Sequence, residues 1–155
     1  MATTLVNKAE NELTPRAIKS ASPSTFTAKN LTTSFQQVVL SDGNDINLGN
    51  NPSIAAILKW RYSAGTSLTV RIKVSNNGTD FVYAPSFGSP STGTSVASIA
   101  EVTYSSTTWD QDGTDAWCPF EAILTGWRFA QLWIKSNDAS GSILAASTLT
   151  GGTGA

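Results

Sequence analysis

The chain has 155 residues, ten basic against eleven acidic, with a formal net charge of −1, one cysteine and no histidine. A lone cysteine rules out an intrachain disulfide and thiolate clusters, and the missing imidazole closes the Ser-His-Asp triad, the Cys-His dyad and the His-ligated zinc site. No run of like charges supplies a nucleic-acid footprint, so no nucleic acid is expected as a partner, and with only 14% charged residues and roughly a quarter Ser or Thr the chain is poor in helix formers.

Residues 1–24 are polar, carry Pro15 and Pro23, and hold at most a short helical fragment around Val6 to Leu13. Such a segment buries too little apolar surface to fold alone, and it reads as an extended arm. Its apolar side chains Leu5, Val6, Leu13 and Ile18 are the ones expected to meet a neighbouring subunit. Met1-Ala2-Thr3-Thr4-Leu5 is not a basic start followed by an apolar stretch, and nowhere do 18 apolar residues follow one another, so neither a secretory signal nor a membrane partner is expected.

From Thr25 the pattern is that of short strands, over 25–29, 33–40, 44–48, 53–63, 67–75, 80–84, 96–104, 116–124, 127–136 and 142–149. Close spacing of that many strands predicts one all-β antiparallel sandwich over residues 25–150. The strictest alternation lies at Ser67–Ser75, where Leu68, Val70, Ile72 and Val74 interleave with Thr69, Arg71, Lys73 and Ser75. One face is core and the other meets water, and Asn76-Asn77-Gly78 then predicts a tight hairpin turn. In 53–63 the set Ile54, Ala56, Leu58, Trp60 and Tyr62 shares the core face, with Ile57, Lys59 and Arg61 opposite. In 127–136 both faces are apolar. Ala130, Leu132 and Ile134 are assigned to the core, and Phe129 and Trp133 to a subunit contact. Cys118, between Trp117 and Pro119-Phe120, reads as a buried small hydrophobe, and Gly151-Gly152-Thr153-Gly154-Ala155 as a glycine-rich tail.

The inventory for chemistry is short. Phosphate-cradling and dinucleotide motifs are absent, which leaves paired carboxylates as the one hydrolytic option; Glu101 and Glu121 lie inside predicted strands, where one could be buried, but both read as ordinary solvent-facing or paired glutamates. Asp110, Asp112 and Asp115 fall within six residues beside Gly113. Hard oxygen ligands on a turning loop suit calcium, although the EF-hand spacing is not met, so calcium is the single metal considered and no other cofactor is expected. Trp60, Trp117, Trp127 and Trp133 lie inside strand patterns and read as core or interface, whereas Trp109 beside the acidic segment is the candidate to stack on a glycan.

Two stretches carry a resemblance. Val74-Ser75-Asn76-Asn77-Gly78-Thr79-Asp80-Phe81, a variable loop, and then Gly126-Trp127-Arg128-Phe129-Ala130-Gln131-Leu132-Trp133-Ile134-Lys135-Ser136 resemble the strand–turn and late-strand patterns of jelly-roll domains. Within that architecture the chain looks like the small jelly-roll proteins on tailed bacteriophage virions, including capsid decoration proteins. It is also similar to discoidin-type and carbohydrate-binding modules. The resemblance implies a non-enzymatic virion protein that oligomerises, with a trimer favoured, and binds a major capsid protein or another virion protein. The alternative it implies is a glycan- or host-surface-binding module of a tail or fibre.

Overall fold

The computed structural model describes residues 23–49, 51, 53–62, 66–84, 101–106, 110–112, 115–139, 141–151 and 153–154. Every regular element among them is a strand, and every strand pairing is antiparallel.

The strands fall on eight lines in two sheets. The first line is β1 (Ser24–Thr25) with β2 (Lys29–Asn30), the second β3 (Gln36–Val38) with β4 (Ile46–Asn47), the third β5 (Ser53–Arg61) and the fourth β6 (Ser67–Ser75). The fifth is β7 (Val82–Tyr83) with β8 (Glu101–Ser105), and β9 (Asp110–Asp112) leads by a hairpin into the sixth, β10 (Asp115–Ile123). The seventh is β11 (Phe129–Ser136), the eighth β12 (Ser142–Ile143) with β13 (Thr148–Thr150), and β14 (Thr153–Gly154) closes the described chain. One sheet takes the lines in the order first, eighth, third, sixth; the other takes them second, seventh, fourth, fifth. That alternation between sheets, each late strand returning beside an early one, is the jelly-roll order expected from the sequence.

The core lies where the alternation places it. Ile54, Ala56, Leu58 and Trp60 of β5 are buried against the second sheet's Leu68, Val70, Ile72 and Val74 of β6 and Ala130, Leu132 and Ile134 of β11. Tyr62, assigned to the same face, is half-buried at its rim. Cys118 is fully buried, as its apolar neighbours suggest. The Tyr104 hydroxyl crosses between the sheets and donates to the Pro119 carbonyl, tying β8 to β10.

Several boundaries differ from the sequence expectation, each for a local reason. The first line breaks where Phe26 pairs with Leu40 of the other sheet and buries its ring, which closes one side of the sandwich. The eighth breaks at 144–147, where Ser147 Oγ accepts from Lys59 N–H at 2.8 Å in place of a ladder carbonyl. The turn after β6 is wider than a two-residue hairpin, because Val74 pairs with Val82. Asn77 Oδ1 collects the Thr79 and Asp80 amides at 2.9 Å each, and Gly78, at φ +75°, supplies the left-handed step. Asp110–Asp112 is a strand paired with Asp115–Trp117 rather than open loop. The tail is partly structured: β14 pairs with β4, covering the edge of the second sheet. Of the arm expected over residues 1–24, residues 1–22 with Leu5, Val6, Leu13 and Ile18 lie outside the described residues, and Ser24 is already paired in the sandwich.

Candidate functional site

A sandwich of this kind offers two outer faces, and here they differ in chemistry. On the first sheet the outward positions of β5 and β10 pair across the ladder: Ala55 with Glu121, Ile57 with Pro119, Lys59 with Trp117 and Arg61 with Asp115. Ile57 is 46% exposed and Ile123 51%. Ile57, with Ala55, Pro119, Glu121, Thr148 and Thr150, lines an open hollow of about 420 Å³. Alternation leaves these side chains outside, and small or β-branched types keep the face flat.

The charged end of the same face is tied up internally. Asp115 takes the Arg61 guanidinium at 2.9 Å and the Lys59 ammonium at 3.7 Å, and the Arg61 hydrogen bond holds its carboxyl below the usual carboxylate range. Lys59 Nζ also lies 4.6 Å from the centre of the Trp117 ring.

The outer face of the second sheet is cationic and aromatic. Lys73 faces Gln131 across the β6–β11 ladder, Arg71 faces Trp133, and Thr69 faces Lys135. Phe35, just before β3, and Tyr83 of β7 meet there edge to face at 6.4 Å. The cations lie on these rings: Arg71 Cζ is 4.4 Å from the Phe35 centroid, Lys73 Nζ 3.9 Å from that of Trp133, and Lys135 Nζ 4.9 Å from that of Phe35. Arg71 Nε also donates to Glu101 at 2.6 Å. Beside them Asp45 Oδ1 accepts from Gln37 at 2.8 Å and from Gln131 at 3.0 Å, while the Trp133 indole N–H donates to Gln131 Oε1 at 3.0 Å.

The expected site residues distribute unevenly over this frame. Trp133 is on the second sheet's outer face, half-buried under Lys73. Phe129 shares that face but sits beneath the turn after β6, so that a Cβ at Gly78 would meet its ring at 3.4 Å. Asp115 is committed to its two cations; the side chains of Asp110 and Asp112, and all of Trp109, lie outside the described residues. No group of three or more metal-ligating side chains occurs among the described residues. Glu101 and Glu121 are solvent-facing, as expected: both are exposed, on the outer faces of opposite sheets, because each occupies an outward register position, and Glu101 is paired with Arg71. Of the tryptophans read as core or interface, Trp60 is fully buried, Trp127 packs partly buried against the core, and Trp117 and Trp133 are half-buried on outer faces.

Sequence reasoning marked Arg71 and Lys73 as water-facing but not the cluster they build. The missing partners, Phe35 and Tyr83, arrive from other strand lines and leave no local pattern. Among the described residues no helix is long and apolar enough to cross a membrane. Comparison of the chain with family models, curated proteins and solved structures finds no match.

Proposed function

We propose that the chain is a non-enzymatic structural protein of a virion, one that assembles into a homo-oligomer, a trimer by preference, and fastens onto a phage shell as a capsid decoration protein does. The observation that carries this reading is the apolar outer face of the first sheet. Ile57 and Ile123, each about half exposed beside Pro119 and Ala55, form a flat surface that gains free energy by leaving water. A second copy of the chain is the partner assigned to it. The jelly roll serves as a rigid body, and the arm of residues 1–24 clamps a neighbour, with the major capsid protein or another virion protein as the surface bound.

Light scattering at micromolar concentration tests the assembly, and sedimentation with tailed-phage shells freed of their outer proteins tests the attachment. A discrete oligomer is expected from the full chain, reverting to monomer in Ile57→Lys/Ile123→Lys with melting unchanged. A full chain that is monomeric and stays in the supernatant while the shells pellet overturns the reading.

A further inference from the structure

The outer face of the second sheet calls for a ligand of its own. Its three cations, Arg71, Lys73 and Lys135, stand on neighbouring strands, and their charges are answered unequally. Arg71 is matched by Glu101. The Asp45 carboxylate is turned to the Gln37 and Gln131 amides. The ammonium groups of Lys73 and Lys135 have no carboxylate partner among the described residues; they rest on the rings of Trp133, Tyr83 and Phe35. A cation held against an aromatic face keeps its charge while losing part of its freedom, so an anion meeting it finds the donor already placed.

We infer that this face is a docking surface for an extended acidic polypeptide segment of a partner protein, with Lys73 and Lys135 as its charge contacts. Three observations favour that occupant. First, the ring faces of Trp133 and Phe35 carry cations at 3.9 Å and 4.4 Å, so a sugar stacking there displaces them, whereas a carboxylate adds to them. Second, the one guanidinium of the cluster is already paired, its Nε with Glu101 at 2.6 Å, and the other two cations are separate ammonium point charges rather than the bidentate clamp that suits phosphate or sulfate. Third, Lys73 lies opposite Gln131 and Lys135 lies opposite Thr69, so the two are four residues apart along the sheet. At strand rise that is about 13 Å, the span between alternate-face side chains i and i+4 of an extended chain lying along β6 and β11.

This surface is on the opposite side of the sandwich from the apolar hollow, and its ligand does not depend on the virion assignment. Titration calorimetry at low ionic strength with a short polyglutamate, a heparin fragment and an oligodeoxythymidylate tests it. Polyglutamate is expected to bind the full chain, to be released by salt, and to bind about tenfold more weakly to Lys73→Gln and to Lys135→Gln, with little left in the double variant. Lys29→Gln, an exposed change on β2 of the first sheet, is expected to bind as the parent does. Circular dichroism of each variant confirms that the sandwich is intact. Polyglutamate binding that is unchanged in the double variant overturns the proposal. So does lysine-dependent binding of the heparin fragment or the oligonucleotide where polyglutamate has none.

Discussion

Two weak acids lie inside the sandwich, the Cys118 thiol and the Tyr104 phenol, and burial pushes each up to about 12, from 9.0 and 10.0. The neighbouring Cys118 adds to the shift at Tyr104. An acid whose folded value lies above its unfolded one keeps its proton longer in the native state. Its contribution is therefore complete below the unfolded value and is lost as pH rises towards the folded one. The urea midpoint should accordingly fall from about pH 9 upward. In Cys118→Ala/Tyr104→Phe that alkaline decline should flatten, although the parent level drops because a core atom and the hydrogen bond to Pro119 are lost. The buried thiol should resist modification reagents in the native protein and react once urea unfolds it.

Asp115 governs the acid side with the opposite sign. Its carboxyl is lowered chiefly by the Arg61 hydrogen bond, so its stabilisation is present above the ordinary carboxylate value and disappears as pH falls through the native one. Asp115→Asn should cost about 1 kcal/mol or less at neutral pH, since Arg61 is exposed to solvent, and should remove part of the acid decline in thermal melts. Gly151 is a stricter position. At φ +93° a Cβ there would run into the Ser53 carbonyl, so Gly151→Ala should lower stability by roughly 1–3 kcal/mol in urea unfolding.

Among the elements, β5 and β6 were legible because each alternates, and β11, apolar on both faces, because it reads as a central strand; all three are central in their sheets. The period assigned Leu132 and Ile57 to opposite fates, one buried and one 46% exposed. Leu132→Ala should cost about 2–5 kcal/mol and Ile57→Ala almost nothing in the same unfolding assay. Less was legible where pairing is set by distant chain. That Val82–Tyr83 and Glu101–Ser105 share one line is visible only because both pair with β6. The β9 hairpin rests on three residues, too few for a periodic signal. The candidate sites follow the same division. Trp133 could be found from its own strand, but the cations' aromatic seats require Phe35 and Tyr83 to be brought in from two other lines.

At the scale of the whole molecule, the described sandwich begins at the first line, with Ser24 already paired to Leu149. A chain starting at Pro23 should therefore keep the β-type circular dichroism and the melting temperature of the full protein, while light scattering reports a loss of the oligomer if the arm clamps a neighbour. A truncated chain that unfolds would give residues 1–22 a part in the sandwich itself.

The same pairing of Ser24 with Leu149 sets an order of events during synthesis. The eighth line sits between the first and the third, so the first sheet has a gap until residues 142–150 have left the ribosome. Until then β1 has no neighbour to its side and β5 only β10, and folding waits on the closure of a very long loop. The eighth line is thus the keystone of the first sheet. A nascent chain arrested before residue 142 should hold its early strands open to protease and chaperone, and become resistant only when the closing segment slides between them.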